Sequence, residues 1–406
     1  MIATSIRLLG ICAGGLLLAS SAAGASKRTM VLERAVLLMR HGIRAPLPGE
    51  IPDGTRTGAP WPRWRVADSQ VTPHGAKALE IAAQADRRLL AERGLLSASG
   101  CLPAGEVTIW TNSSDRTIAS GKAYAQGFAP SCMLPVRHRA IGEVDPIFEP
   151  LRAKATRFDA HAAMAAINRE TGGMTALVRR HRSAIALLDR VLGCRPRGAG
   201  CAGGGPPQVT PAAEGSEIQL SGPIRSTSGV AQVLLLQYVE GMPLAEVGWG
   251  RADEATLRRL GALHAALFAV FTHPPYMAAH QAALLGRHAL ASLSDPHRPR
   301  LSILVGHDTN VTALAAALRV DLKAPGYATN DVPPGGALLL ERLRDARSGR
   351  SYVRVSYRTQ SPATLRRLGA AITITPLHIP GCGGALCEAD RFARLLQSRL
   401  APLAGK

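Results

Sequence analysis

Arg34-Ala35-Val36-Leu37-Leu38-Met39 runs straight into Arg40-His41-Gly42-Ile43-Arg44. Far downstream, Arg300-Leu301-Ser302-Ile303-Leu304-Val305 runs into Gly306-His307-Asp308-Thr309-Asn310. Both are short, mostly apolar runs, the pattern of a strand covered on both faces, and both stop abruptly at a charged loop. Glu106-Val107-Thr108-Ile109-Trp110 repeats the theme and is followed by Thr111-Asn112-Ser113-Ser114-Asp115-Arg116. Helical patterns come next, over Thr117 to Phe128 and over an Ala/Leu-rich stretch after Asn310. Strand, loop and helix in repeated succession predict an α/β fold: a mostly parallel central sheet flanked by helices.

Working outward, Pro46 to Val71 is rich in Pro, Gly and Arg and reads as a long irregular loop that Trp61 and Trp64 pack. Thr72-Pro73-His74-Gly75 opens a helix to about Arg93, with Pro at a first-turn position where no amide proton is needed. From Pro146 to Leu293 strand signals fade and Ala-rich helical patterns dominate. Within that region Gly198 to Gly222 is loop-like and Ser228 to Val239 is helical. Gly336 to Arg342 and Ser351 to Tyr357 alternate like paired strands, and Glu388 to Leu400 is helical. The expected organisation is an α/β domain from 26–145 with 294–406, and a smaller, mostly helical domain inserted over 146–293.

The 406 residues carry 48 Lys and Arg against 29 Asp and Glu, a formal charge of +19, with Lys at only six positions. An Arg-rich surface suits anionic partners, and a codon-biased genome accounts for it equally well. Basic residues spread along the chain and 4% aromatic content argue against a nucleic-acid module. Arg7, the apolar run Leu8 to Ala19 and small residues Ala23-Gly24-Ala25 form an export leader over 1–25, too short to span a bilayer. A periplasmic or secreted protein without a membrane segment is expected. Setting aside Cys12, the six cysteines cluster as Cys101 with Cys132, Cys194 with Cys201 and Cys382 with Cys387. That grouping favours one of the fifteen possible pairings and disulfides over zinc.

Open α/β sheets bind ligands at the carboxyl ends of their strands. The three charged loops could therefore converge, bringing Arg40, Arg44 and Arg116 together. Guanidiniums crowd only around an anion, and their forked donors match phosphate. His41, flanked by two of them, should stay neutral and nucleophilic in mildly acidic solution, suited to attack on phosphorus. Asp308 could protonate a leaving alkoxide and later deprotonate water, with His307 beside it. A binding protein for polyanions needs neither a nucleophile nor an acid, which weighs against that rival.

Arg40-His41-Gly42-Ile43-Arg44-Ala45-Pro46 with Gly306-His307-Asp308 resembles the histidine acid phosphatase branch of the histidine phosphatase superfamily. Trp61-Pro62-Arg63-Trp64, Asp115-Arg116-Thr117, Gly248-Trp249-Gly250-Arg251 and Pro333-Pro334-Gly335-Gly336 are similar to its periplasmic phytases and glucose-1-phosphatases. The resemblance implies His41 as nucleophile, Asp308 as proton donor, and Arg40, Arg44, Arg116 and His307 around the phosphate. It implies no metal or cofactor, and a small phosphomonoester as the partner of a monomer. It also places Met242, Glu246, His264 and Thr309 at the substrate pocket. Pro48 and Gln281 stand where those phytases carry cations, while Leu47 and Thr111-Asn112-Ser113 look more like glucose-1-phosphatases; Arg56, Arg63 or Arg65 offer compensating charge. The remaining histidines, His280 among them, are expected at the surface or as caps. The pairs Arg87-Arg88, Arg179-Arg180 and Arg366-Arg367 are expected on solvated helix faces.

Overall fold

The computed structural model describes residues 1–2, 30–195 and 200–404; the leader read at 1–25, with Cys12, lies outside them apart from its first two residues. The strands are β1 (Met30–Arg40), β2 (Val107–Thr111), β3 (Val136–Arg137), β4 (Gln208–Pro211), β5 (Ile218–Ser221), β6 (Leu301–Gly306), β7 (Ala337–Asp345), β8 (Ser351–Thr359), β9 (Thr373–Leu377) and β10 (Cys387–Glu388). The helices begin with α1 (Pro73–Glu92), α2 (Asp115–Phe128), α3 (Ala160–Thr171), α4 (Met174–Arg180), α5 (Arg182–Leu192) and α6 (Pro223–Val239). They continue with α7 (Glu254–Phe271), α8 (Pro275–Gln281), α9 (Ala283–Ser294), α10 (Asp308–Ala317), α11 (Pro362–Arg366) and α12 (Ala389–Gln397).

The central sheet has the order β10-β8-β7-β1-β6-β2-β3, with β9 also on β8. Its β1, β6, β2 and β3 are parallel, and β7 to β10 extend it with antiparallel pairs. The unbroken apolar run of β1 now has its cause. Val36 and Leu38 face a core shared with α9, α10 and α12, whereas Ala35, Leu37 and Met39 face one shared with α1 and α2. Each Leu or Val buried so fully contributes roughly 1.5–3 kcal/mol.

Two further cores are helical. Residues of α5, α6 and α7 pack together with Ile43 and Ala78, and α3 and α4 pack against Ile224, Val270 and Met277. Helix α9, read from sequence as part of the helical insert, instead lies on the sheet, because Leu285, Leu290 and Leu293 complete the core beneath β1. The stretch read as a loop to Gly222 contains the antiparallel hairpin β4–β5. Two of its strand residues are exposed on each strand, so apolar alternation is too weak to declare it.

Cysteines pair as Cys101–Cys132, Cys194–Cys201 and Cys382–Cys387. Trp61 packs on Trp249 with ring centroids 4.9 Å apart. Three residues expected at exposed positions turn inward. Arg87 is buried, donating to the carbonyls of Ser97 and Gly100 and lying over Phe128. His280 is buried against Phe158 and Tyr276 and shares a hydrogen bond with Thr156. Arg366 likewise turns inward to the carbonyls of Tyr238 and Met242.

Candidate active site

Parallel register brings distant loops side by side. Arg40 pairs with Gly306 across β1 and β6, and Thr111 with Val305 across β2 and β6. The ladder continues one step past the strands: the His41 amide donates to the Gly306 carbonyl and the Asn112 amide to the Val305 carbonyl, each at 2.9 Å. Residues 41, 112 and 307 therefore leave the sheet as neighbours, and α2 and α10 start at the same edge. Helix N-termini add partial positive charge there.

His41 is buried, and its Nδ1 lies 2.9 Å from the Gly42 carbonyl oxygen. A carbonyl only accepts, so Nδ1 carries the proton and Nε2 keeps its lone pair. Burial, then the charges of Arg40, Arg44 and Arg116, hold this imidazole well below the usual histidine range. The His307 ring centroid is 5.6 Å away, at 72° to it. His307 donates from Nε2 to Asn112 Oδ1 at 3.1 Å, which leaves Nδ1 to accept from Arg116 at 3.4 Å. Burial and Arg116 push it down to about 3.

Arg40 is fully buried on β1, bonded to the Val332 carbonyl and to Gln232 Oε1 (2.8 Å), and lies 3.1 Å from Asp308 Oδ2. Arg44 is clamped by both oxygens of Glu50, at 2.7 and 3.0 Å. Burial, reinforced by Arg44, lowers Arg116 to about 10. The Nε atoms of Arg40, Arg44 and Arg116 are buried without an acceptor in the protein. Buried donors are rarely left unpaired. Three of one sign, at one sheet edge, suit the oxygens of an anion. Burial favours the neutral acid at Asp308, but Arg40, His264 and His307 overcome it and hold the carboxyl well below the usual carboxylate range.

A cavity of about 470 Å³ opens in front of these groups. His41, Arg44, Arg116, His307, Asp308, His264 and Thr309 line it. Met242 and Glu246 do not. Met242 packs beside the helical core and Glu246 is exposed before the turn at Val247–Gly250. Helix α6 reaches the cavity more than a dozen residues earlier, through Arg225, Ser228 and Gly229. Arg56, Arg63 and Arg65 are also absent from the lining. The outer cations are Arg152 and Arg225, countered by Glu149 and Glu217, with Leu47, Pro48 and Gln281 as neutral neighbours.

Sequence reasoning missed several supports. Gln232, like Gln237, stands as an amide in the apolar part of α6, which is itself a signal of a buried polar partner. Glu50 sits in an irregular loop and Asp331 before a Pro-Pro turn, where nothing local marks them. Asn112 is marked in the sequence only by its neighbours.

The family model describing branch 2 of the histidine phosphatase superfamily matches residues 31–176 and 250–358. The phytase AppA of Escherichia coli strain K12 is 30% identical over 414 residues, covering 94% of this chain and 95% of that protein. A glucose-1-phosphatase of Salmonella typhimurium is 25% identical, covering 96% and 98%. The structure of Hafnia alvei phytase in complex with tartrate superposes with a TM-score of 0.85 at 29% identity, covering 92% of this chain and 98% of that one. The arginine-lined strand ends thus sit within a likeness that runs nearly the whole length of the chain, and the chain belongs to branch 2 of the histidine phosphatase superfamily, as a phosphoric monoester hydrolase of the histidine acid phosphatase type.

Proposed function

We propose that this is an exported, monomeric phosphomonoesterase that works through a phosphohistidine on His41. One observation carries the reading: a neutral imidazole with Nε2 free stands among three guanidinium groups whose Nε atoms are buried without a partner. In the first step Nε2 bonds to phosphorus as the ester P–O bond breaks, and the departing oxygen takes a proton from Asp308. In the second, water attacks phosphorus, its proton passes to Asp308, and the P–N electron pair returns to His41. Arg40, Arg44 and Arg116 hold the phosphoryl oxygens, and His307 joins them when its Nε2 proton exchanges Asn112 Oδ1 for the phosphate, so charge built up in flight meets guanidinium donors already in place. Arg40 and His264 keep Asp308 ionised in the resting site, so the acid step needs a proton held close to Asp308 when the ester binds. Turnover should therefore peak below neutral pH. Export accords with the leader-like 1–25 segment and three disulfides, and among the described residues no helix is long and apolar enough to cross a membrane.

The outer cavity supports a substrate range wider than inositol hexakisphosphate. Glu149 and Glu217 balance Arg152 and Arg225 there, so further phosphates gain little net attraction. A single phosphate on a sugar meets the same inner ring. Comparison of kcat/KM for inositol hexakisphosphate, glucose 1-phosphate and p-nitrophenyl phosphate between about pH 4 and 6 tests this. The expectation is turnover of all three, the first two within roughly tenfold, and none by His41→Ala. Turnover of only one ester, or an active His41→Ala, would overturn it.

A further inference from the structure

Asp331 lies behind the groups assigned so far. It is 3% exposed, and its Oδ1 accepts from His264 Nδ1 at 2.9 Å. The other ring nitrogen, Nε2, lies 3.6 Å from Asp308 Oδ2. One imidazole on α7 thus stands between two carboxylates, one deep and one at the reaction centre. Phe268 packs edge-on against the ring at 4.9 Å, and Gly261, one turn before His264, gives the Asp331 carboxylate its space.

The geometry constrains the protons. Carboxylates only accept, so the Nδ1 proton is committed to Asp331. The contact between Nε2 and Asp308 is attractive only when a second proton lies in it. Without one, a nitrogen lone pair faces an anion. We propose that Asp331, acting through His264, keeps one proton in the contact between His264 and Asp308, and that this proton is delivered to the leaving alcohol. Asp331 is then a positioning residue. The proposal rests on Asp308 being the acid.

The step balances. As the ester P–O bond breaks, its electron pair takes the proton from Asp308 Oδ2 and leaves the contact empty. When water attacks phosphorus and the P–N bond breaks, the water's proton returns to Asp308 and refills it. Other charges bear on the same contact. Arg40 from β1, Arg44 and His307 from the neighbouring strand ends all face Asp308 and favour its ionised form. On the far side, the buried hydroxyls of Tyr327 and Tyr357 feel the Asp331 charge. The arginines oppose an added proton anywhere in this contact, and the Asp331 carboxylate is the charge that holds it there.

Asp331→Asn separates charge from shape, because the amide oxygen still accepts from Nδ1. kcat/KM is measured against pH for an alkyl phosphate and for p-nitrophenyl phosphate, in the wild type, Asp331→Asn, His264→Gln and the double variant. The alkaline limb should move about one pH unit lower in Asp331→Asn. The alkyl ester should lose roughly tenfold and the good leaving group about two- to threefold or less. The double variant should lose no more than His264→Gln alone, because Asp331 acts through that ring. An unmoved limb, or equal loss for both esters, overturns the proposal. If Asp331→Asn does not fold, His264→Gln decides the question by the same shift of its limb and by its leaving-group ratio. Asp308→Asn keeps the failures apart: if it does not discriminate leaving groups, the acid assignment falls; if it does while Asp331→Asn changes nothing, this inference alone falls.

Discussion

Gly229 on α6 faces the backbone of Glu50, and the two segments touch so closely that a side chain has no room. A Cβ built on Gly229 would overlap the Glu50 carbonyl oxygen and come within 3.0 Å of its carbonyl carbon. Both partners are backbone, so relief in Gly229→Ala requires the segments to part by about 1 Å. Glu50 holds Arg44 through two hydrogen bonds and also accepts from the Leu47 amide at 2.8 Å, so the displacement is passed to a phosphate ligand. Overpacking of this kind costs about 1–3 kcal/mol of stability. A 1 Å error in a positioning group costs up to about 100-fold in rate. The expected result for Gly229→Ala is a kcat/KM roughly 10- to 100-fold lower, with vanadate inhibition weakened in parallel and a Tm only a few degrees down. Gly205→Ala serves as control, since nothing lies within 4 Å of its Cβ position. A folded Gly229→Ala enzyme with wild-type kcat/KM and vanadate affinity would refute the argument that Glu50 sets the Arg44 geometry.

Three further outcomes are expected. Asp308→Asn should lose about 100- to 10,000-fold on alkyl phosphates and far less on p-nitrophenyl phosphate, while binding inorganic phosphate more tightly because a carboxylate leaves the ring; a leaving-group series measures this. The ligand-free enzyme should lose thermal stability as pH falls from 6.5 toward 3, because the unfolded chain takes up a proton that His307, held at about 3, does not. Glu50 and Asp308, both held low by arginines, act in the same direction, and saturating phosphate should flatten the slope seen in calorimetry. Arg225→Ala, on an exposed cavity residue, should lower kcat/KM for inositol hexakisphosphate about 3- to 10-fold and for glucose 1-phosphate less than about 2-fold.

The sheet was legible because its central strands are buried on both faces. That condition forces unbroken apolar runs in β1 and β6, and the abrupt return of charge at Arg40 and His307 marks where each strand leaves the core. The inner ring followed from the same punctuation. What was not legible depends on elements meeting from far apart. Gln232 reaches Arg40, and Asp331 reaches His264, only because α6 and α7 pack over the sheet edge. Resemblance alone places Met242 and Glu246 at the pocket, in a Gly/Pro-rich stretch; in the structure α6 turns Ser228 and Gly229 to the cavity instead. Arg87 misleads for another reason: a guanidinium can be buried when several backbone carbonyls converge on its fork, and composition does not reveal that convergence.

A covalent bond between phosphorus and His41 Nε2 is the step on which the proposed chemistry depends. Rapid quenching of the enzyme with radiolabelled p-nitrophenyl phosphate in alkali, followed by peptide mapping, tests it. The expected label is on the peptide holding Arg40-His41-Gly42, stable in alkali and lost in acid, and missing from His41→Ala. Label on a carboxylate, or turnover with no trapped phosphoenzyme while the quench captures one in a known histidine phosphatase, would contradict it.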